Sequence, residues 1–443
     1  MFFRYFPMIA FIISCHSSGV YAGDTHEFML ENGLKIIVRE DHRAPVVASQ
    51  VWYKTGASYE QAGKTGLAHV LEHMMFKGTL KHPDGQFSQI MADNGANENA
   101  FTSQDYTAYI QKIEAKRLAV SFELEADRMQ NLQFKAEEFA KEQQVVMEER
   151  RLRTEDKPSA LLYEVFNATA FQTSPYRSPV IGWMNDIEQL QVADAKQWYQ
   201  QWYTPNNAIL VVVGDVQPQA VFDLAKQYFA DIKPFAIKPL PQAKEVTQQG
   251  IKRVVLKRPA KIPQLIMGYK VPNINPNSDK NAWQPYALEV MVWVLDGGDS
   301  ARFSQKLVRG QELATGLSTG YSLYNRLESL LTFSGTPSKK ANVVQLENAI
   351  REQIKQIQTD LVSADELQRV KAQLTADAVF EKDSVFSQAY TIGQFEAIGL
   401  SWQLYEDYLT HISAITPEQI RQVAQDYLID DGLTVAVLEP QDL

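Results

Sequence analysis

The sequence predicts an α+β fold of two homologous α/β sandwich domains in tandem, each a mostly antiparallel sheet with helices on one face. Three observations support this fold class. A chain of 443 residues is too long for one ordinary hydrophobic core. Strand-like runs and helical patterns fill the first half, up to a Pro- and Lys-bearing stretch at residues 232–249. Beyond that stretch the same order of runs begins again.

The repeat is visible in three pairs of strand-like runs. Residues 33–38 correspond to 250–256, residues 46–54 to 265–270, and residues 208–213 to 432–437. The offset is about 220 residues in each pair, which is typical of a duplicated unit. We therefore expect an N-terminal domain at residues 23–231, a linker at 232–249 and a C-terminal domain at 250–443.

Turn chemistry and hydrophobic periodicity place the elements of the first half in order. Strands are predicted at residues 34–39 and 46–54, helices at 65–76 and 87–93, a strand at 107–113, helices at 118–129 and 136–152, and a strand at 208–213. The last of these is a continuous apolar run, which is typical of a strand buried on both faces.

The first 22 residues have the pattern of an export signal. Arg4 gives a basic start, residues 5–14 are almost wholly apolar, and small residues precede a cleavage position after Ala22. The apolar run is too short to span a bilayer in the mature protein. The pattern predicts a bacterial periplasmic protein. The alternative is lipid anchoring through Cys15, the single cysteine of the chain.

The charge balance narrows the classes of partner. The formal net charge is −10, and the sequence contains no Lys/Arg-rich strip. Nucleic acid and anionic lipid both favour basic surfaces, so neither is expected as the main partner.

His69, Glu72 and His73 form an H-x-x-E-H motif inside the predicted helix 65–76. Residues four apart lie one turn above each other, so the two imidazoles can face one ion, and Glu72 borders that face. Two imidazoles and a carboxylate suit a catalytic zinc that activates water, and this order of residues is the inverzincin signature. The alternative is a solvated helix face with two incidental histidines.

A third zinc ligand is expected in the glutamate-rich helix 136–152. Glu142 and Glu149 are seven residues apart and share one face, so one can bind a metal while the other supports the site. Spacing alone does not choose between them and the other glutamates of this helix, which are Glu137, Glu138 and Glu148.

The chain resembles the pitrilysin and mitochondrial-processing-peptidase family of zinc peptidases over nearly all of its mature length. The matching stretches are residues 32–38, 43–47, 66–79, 95–107 and 203–207. The resemblance implies one Zn²⁺ per chain, bound by His69, His73 and Glu149, with Glu142 steadying the site. It further implies that Glu72 is the general base of a metalloendopeptidase, accepting a proton from the water that attacks a peptide carbonyl.

The resemblance also implies a substrate-binding edge strand beside the metal, carrying Asn97, Asn99, Ala100 and Phe101. An extended peptide can add to such an edge through backbone hydrogen bonds, which favours short or unfolded peptides as substrates. The alternative is an ordinary edge strand that Asn97 and Asn99 protect from further pairing.

The second half departs from the family pattern. Members that cleave alone carry an arginine and a tyrosine seven residues apart after a Gly-Gly turn, where Val308 and Thr315 stand here. Neither Arg309 nor Tyr321 restores the spacing. This departure predicts the zinc-bearing subunit of a heterodimer whose companion lacks H-x-x-E-H and supplies the arginine and tyrosine. The alternatives are a self-sufficient homodimer in which Arg309 or Tyr321 compensates, and a catalytically silent structural subunit.

Overall fold

The computed structural model describes residues 24–83, 85–237 and 244–442. The expected export segment, with Cys15, lies outside these residues. The strands are β1 (Thr25–Met29), β2 (Lys35–Glu40), β3 (Val46–Tyr53), β4 (Asn97–Thr102), β5 (Thr107–Glu114), β6 (Ala208–Gly214), β7 (Lys252–Pro259), β8 (Gln264–Val271), β9 (Ala314–Gly320), β10 (Ser329–Pro337) and β11 (Leu433–Gln441).

The helices are α1 (Leu67–Met74), α2 (Gln86–Asp93), α3 (Leu118–Asn131), α4 (Ala136–Arg150), α5 (Pro158–Ala170), α6 (Met184–Gln189), α7 (Val192–Trp202), α8 (Pro218–Phe229), α9 (Trp283–Asp296), α10 (Val343–Thr359), α11 (Ala364–Glu381), α12 (Val385–Ala397), α13 (Gln403–Ala414) and α14 (Pro417–Tyr427). The four helices predicted in the first half are present as α1 to α4, and α5 to α8 are additional to them. Wider turns extend α4 over Arg151–Glu155 and form the separate segment Phe303–Gly310.

The two sheets have the same strand order. The first runs β1-β2-β6-β3-β5-β4 and the second runs β7-β11-β8-β10-β9. In each sheet one pair is parallel, β2 with β6 and β7 with β11, and the other pairs are antiparallel. The three predicted pairs of runs fall on β2 and β7, β3 and β8, and β6 and β11. The predicted fold class is confirmed, with β1 as an addition to the first sheet.

Each sheet has an inner and an outer face, because alternate side chains of a strand point in opposite directions. In the first sheet Ile36 and Val38 of β2 pack among the helices of their own half, whereas Ile37 faces the other way. In the second sheet Met267 packs among the helices of its own half and Ile266 faces the other way.

The second face of each sheet is covered by a helix from the other half of the chain. Helix α12 packs on β3 and β6 of the first sheet, and α5 packs on β7, β8 and β11 of the second. Both contacts need a glycine. A Cβ on Gly393 of α12 would lie 2.1 Å from Trp52 Nε1, and a Cβ on Gly268 of β8 would lie 2.3 Å from Phe166 Cζ. The two halves therefore interlock through equivalent contacts.

The described parts of the expected linker, residues 232–237 and 244–249, contain no helix or strand. Glu245 nevertheless ties this segment to both halves. Its carboxylate accepts hydrogen bonds from the backbone amides of Gln172, Thr173 and Ser174 in the first half, and it pairs with Lys270 Nζ of β8 at 2.5 Å. Burial alone would raise the pKa of Glu245, but these partners lower the pKa to about 2.

No helix among the described residues combines the length and the apolar composition that a membrane span requires.

We expect Glu245→Gln to lower the thermal midpoint at pH 7, because the variant loses the negative charge that pairs with Lys270 and one of the two oxygens that accept from the backbone amides. A carboxylate with a lowered pKa stabilises the fold above its unfolded pKa of about 4.5, and this contribution disappears as the pH falls toward 2. The difference between variant and wild type should therefore shrink between pH 5 and pH 3, measured by thermal unfolding. Glu439→Gln, at an exposed pair with Lys257, is the control. A gap that stays constant with pH would contradict this assignment.

Candidate metal centre

Helix α1 begins at a glycine turn that is held by a carboxylate. Gly66 has a φ of 87°, and a Cβ there would meet Ile181 O at 2.6 Å, so the position favours glycine. Glu60 accepts hydrogen bonds from the amides of Gly66 at 2.9 Å and Ala68 at 2.7 Å. These amides have no partner within the helix, so Glu60 supplies the N-terminal cap.

His69 and His73 lie one turn apart on α1 and face Glu149 of α4. Glu149 Oε2 is 3.8 Å from His69 Nε2 and 3.5 Å from His73 Nε2. The two imidazole planes are nearly perpendicular, at 82°, with centroids 5.0 Å apart. One ligand atom from each of the three residues falls within 4.8 Å of the others. The structure thus brings together the three residues that the sequence and the resemblance single out.

Glu142 contacts this cluster through His73 and orients the imidazole of that residue. Its Oε2 is 3.1 Å from His73 Nδ1, and its Oε1 is 2.6 Å from Lys77 Nζ. A hydrogen bond to Nδ1 fixes the imidazole tautomer that leaves Nε2 available toward Glu149. Arg153 pairs in the same way with the second oxygen of Glu149, at 2.5 Å.

The geometry and protonation of the cluster fit a zinc ion. Two ligand atoms of a tetrahedral zinc with bonds of about 2.1 Å lie about 3.4 Å apart. The observed separations of 3.5 and 3.8 Å differ from that value by a few tenths of an ångström. Burial, together with the charges of His73 and Arg153, lowers the pKa of His69 to about 3. His69 is therefore neutral at physiological pH, which is the form that binds a metal.

Glu72 lies half-buried beside the cluster. Its Oε2 accepts a hydrogen bond from the hydroxyl of Thr102, at the end of β4. Burial raises the pKa of Glu72, although the Thr102 hydrogen bond acts in the opposite direction. A carboxylate with a raised pKa is a better proton acceptor than an exposed one, because its basicity is closer to that needed at neutral pH.

The predicted edge strand is β4, the last strand of the first sheet. Asn97 and Asn99 are exposed, and Ala100 is half-buried on the side of α1. The ring of Phe101 instead packs against Trp52, Tyr106 and Tyr390, with centroids 5.5 to 6.1 Å apart. The ring of Phe101 is therefore occupied by packing, and only its backbone remains at the edge of the sheet.

The residues at and near the positions expected for the arginine and tyrosine make contacts within their own half of the chain. Val308 packs against the core of the second half, and Thr315 Oγ1 donates to Thr336 O at 3.3 Å. Arg309 pairs with Asp299 at 2.7 Å, and the Tyr321 hydroxyl donates to Pro272 O at 2.7 Å.

Sequence reasoning missed four residues that shape the centre: Glu60, Lys77, Thr102 and Arg153. Arg153 is four residues after Glu149, a spacing that predicts an ion pair on a helix and was available in the sequence. Glu60 and Thr102 approach α1 only through the tertiary fold, so no local pattern indicates them.

Comparisons with known proteins agree with this geometry. Residues 35–183 match the profile of the Insulinase (Peptidase family M16) family, and residues 189–374 match that of the Peptidase M16 inactive domain. The chain is 33% identical to the "Zinc protease PqqE" of Helicobacter pylori, over 93% of this chain and 92% of that protein.

Two solved structures extend the likeness to the fold. A crystal structure of a protease from Helicobacter pylori superposes with a TM-score of 0.89 at 31% identity, covering 94% of this chain and 100% of that one. The periplasmic protease PqqL from Escherichia coli superposes with a TM-score of 0.77 at 17% identity, over 94% of this chain but 48% of that chain. The family resemblance predicted from the sequence is confirmed, and the chain belongs to peptidase family M16.

Proposed function

We propose that this protein is a zinc-dependent endopeptidase in which His69, His73 and Glu149 hold one Zn²⁺ and Glu72 is the general base. The observation that carries this proposal is the convergence of Nε2 of both histidines on one oxygen of Glu149, beside the half-buried carboxylate of Glu72. The name "Zinc protease" of the Helicobacter relative supports it.

The residues divide the chemistry between them. A zinc ion bound at this site would supply Lewis acidity and make a water molecule acidic enough to lose a proton near neutral pH. Glu72 accepts that proton as the water attacks the peptide carbonyl, and passes it to the leaving amine. Thr102 holds Glu72 in position, and Glu142 keeps His73 in the tautomer that the metal needs.

Substrate would bind along β4. Because β4 ends the sheet, an extended peptide can add beside it through the backbone of Asn97, Asn99, Ala100 and Phe101. Recognition through main-chain hydrogen bonds requires an extended segment, which supports short peptides or unfolded regions as substrates.

We also propose that the chain is the metal-bearing member of a heterodimer. Val308 and Thr315 provide no cationic or phenolic group where relatives carry an arginine and a tyrosine, and both Arg309 and Tyr321 have partners of their own. This chain corresponds to about half of PqqL in length, which supports an assembly of two such units. A homodimer that uses Arg309 or Tyr321 is the alternative.

We propose that the two repeats are residues 23–231 and 250–443, joined by a linker at 232–249. The equivalent strand orders of the two sheets support this division. Export to the periplasm is proposed from the pattern of residues 1–22, with lipid anchoring at Cys15 as the alternative. The description of PqqL as periplasmic supports export.

Glu72→Gln should keep zinc but lose nearly all turnover, because the amide preserves the shape of the side chain but accepts a proton poorly. We expect kcat to fall by roughly 100-fold or more, measured with a quenched peptide, while zinc content by elemental analysis stays at one per chain. A variant that retains most of its activity would remove Glu72 from the base role.

Glu149→Ala should lose zinc, since two imidazoles alone hold the ion weakly. The matched control is Glu148→Ala, because Glu148 is the neighbouring residue, is 62% exposed and pairs with Arg151. Zinc content is measured by elemental analysis after dialysis. Full occupancy in Glu149→Ala would indicate a different third ligand.

The heterodimer predicts weak cleavage by the isolated chain. Mixing with a family member that lacks H-x-x-E-H but carries the arginine and tyrosine should raise kcat/KM by roughly 100-fold, the usual effect of one transition-state donor. The same companion with its arginine changed to methionine is the control. Full activity of the isolated chain, lost on Arg309→Met or Tyr321→Phe, would favour the homodimer.

A further inference from the structure

A buried ion pair connects the second half of the chain to the turn that follows β4. Arg326 lies between β9 and β10, and Asp105 lies in the turn between β4 and β5. Arg326 Nε donates to Asp105 Oδ1 at 2.8 Å, and the two side chains are 18% and 5% exposed. A pair this well buried is held in a fixed geometry, because neither charge can leave its partner without losing stabilisation.

The same guanidinium holds a second loop of the first half. Arg326 Nη2 donates to Ser58 Oγ at 2.7 Å, and its Cζ lies 4.3 Å from the ring centroid of Tyr59. Ser58 Oγ in turn donates to Asp105 Oδ1 at 2.7 Å. Tyr176 completes the cluster by donating its hydroxyl to the other oxygen of Asp105.

Both loops lead directly to the candidate metal centre. On one side, Thr102 lies three residues before Asp105 and donates to Glu72. On the other side, Ser58 and Tyr59 precede Glu60, the carboxylate that caps the first turn of α1. The loops are also joined through their backbones, by Ala57 N to Ser103 O at 3.0 Å and Ser58 N to Gln104 O at 2.7 Å.

We propose that Arg326 is a positioning residue, which fixes Glu72 and the start of α1 from the other half of the chain. The inference rests on the proposed peptidase function. Without the guanidinium, Asp105 would be a buried carboxylate lacking its cation, and the turn would move to reach solvent. That movement would carry Thr102 away from Glu72 and Ser58 away from the loop of Glu60. A displacement of about 1 Å at a reacting group can lower a rate by roughly 100-fold.

Arginine has the geometry that this position requires. Its planar fork reaches Asp105 and Ser58 with two different nitrogens while its face lies over Tyr59. Lysine offers a single point of charge, so Arg326→Lys can pair with Asp105 but cannot hold both loops in the same way.

The test compares Arg326→Met with the zinc-loaded wild-type chain, together with its companion if the mixture is the active form. We expect kcat to fall roughly 10- to 100-fold with KM changed little and zinc stoichiometry unchanged, and Arg326→Lys to recover part of the loss. Hydrogen exchange supplies a readout that is independent of activity: the amides of residues 57–60, 66–68 and 102–106 should exchange faster in Arg326→Met.

Arg302→Met is the matched control, because Arg302 and Glu366 form a bidentate pair, 12% and 17% exposed, within the second half. Unchanged exchange in both loops, or a kcat for Arg326→Met equal to that of Arg302→Met, overturns the inference. Faster exchange in a protein whose wild type cleaves no peptide would reject the peptidase function but support the positioning role. If Arg326→Met does not fold, Ser58→Ala should show the same changes to a smaller extent, and their absence there would also overturn the inference.

Discussion

The exchange of helices between the two halves is the constraint on which the structure depends. Helix α12 fits the first sheet because Gly393 lets its backbone approach Trp52, and α5 fits the second sheet because Gly268 leaves room for Phe166. Interiors are packed too closely to absorb even one additional carbon at such distances. Each sheet is thus covered on its second face by residues that are distant in sequence, and the cores on those faces contain side chains from both halves.

Because the two halves pack against each other in this way, the candidate metal centre depends on both of them. The ligands come from α1 and α4 of the first half, yet the loops on either side of α1 contact Arg326 of the second half. Ion pairs across the same boundary, such as Lys35 of β2 with Glu396 of α12 at 2.8 Å, add to the contact between α12 and the first sheet. A helix as short as α1, with eight residues, gains little stability by itself, so its orientation has to come from these surroundings.

Local patterns in the sequence predicted the elements better than their arrangement. The spacing of His69 and His73 predicted a shared helix face, and the apolar run at residues 208–213 predicted a buried strand, because both depend on periodicity along the chain. The choice of Glu149 over Glu142 depended on family resemblance, since residues seven apart lie on one face equally well. The position of α5 on the second sheet could not be predicted: an apolar helix face indicates burial but does not identify the surface that buries it.

Glu142 and Glu149 of α4 make the same kind of contacts, which allows several carboxylates to lie close together. Glu142 turns one oxygen to Lys77 and the other to His73, while Glu149 turns one oxygen to Arg153 and the other to both histidines. Each glutamate of α4 thus has one oxygen paired with a cationic side chain, and its other oxygen is turned toward an imidazole. The third carboxylate of the centre, Glu72, accepts its hydrogen bond from the uncharged hydroxyl of Thr102. A divalent cation bound between the imidazoles, as proposed, would add positive charge beside Glu72, so a half-buried base, two imidazoles and two salt-bridged glutamates form a consistent set.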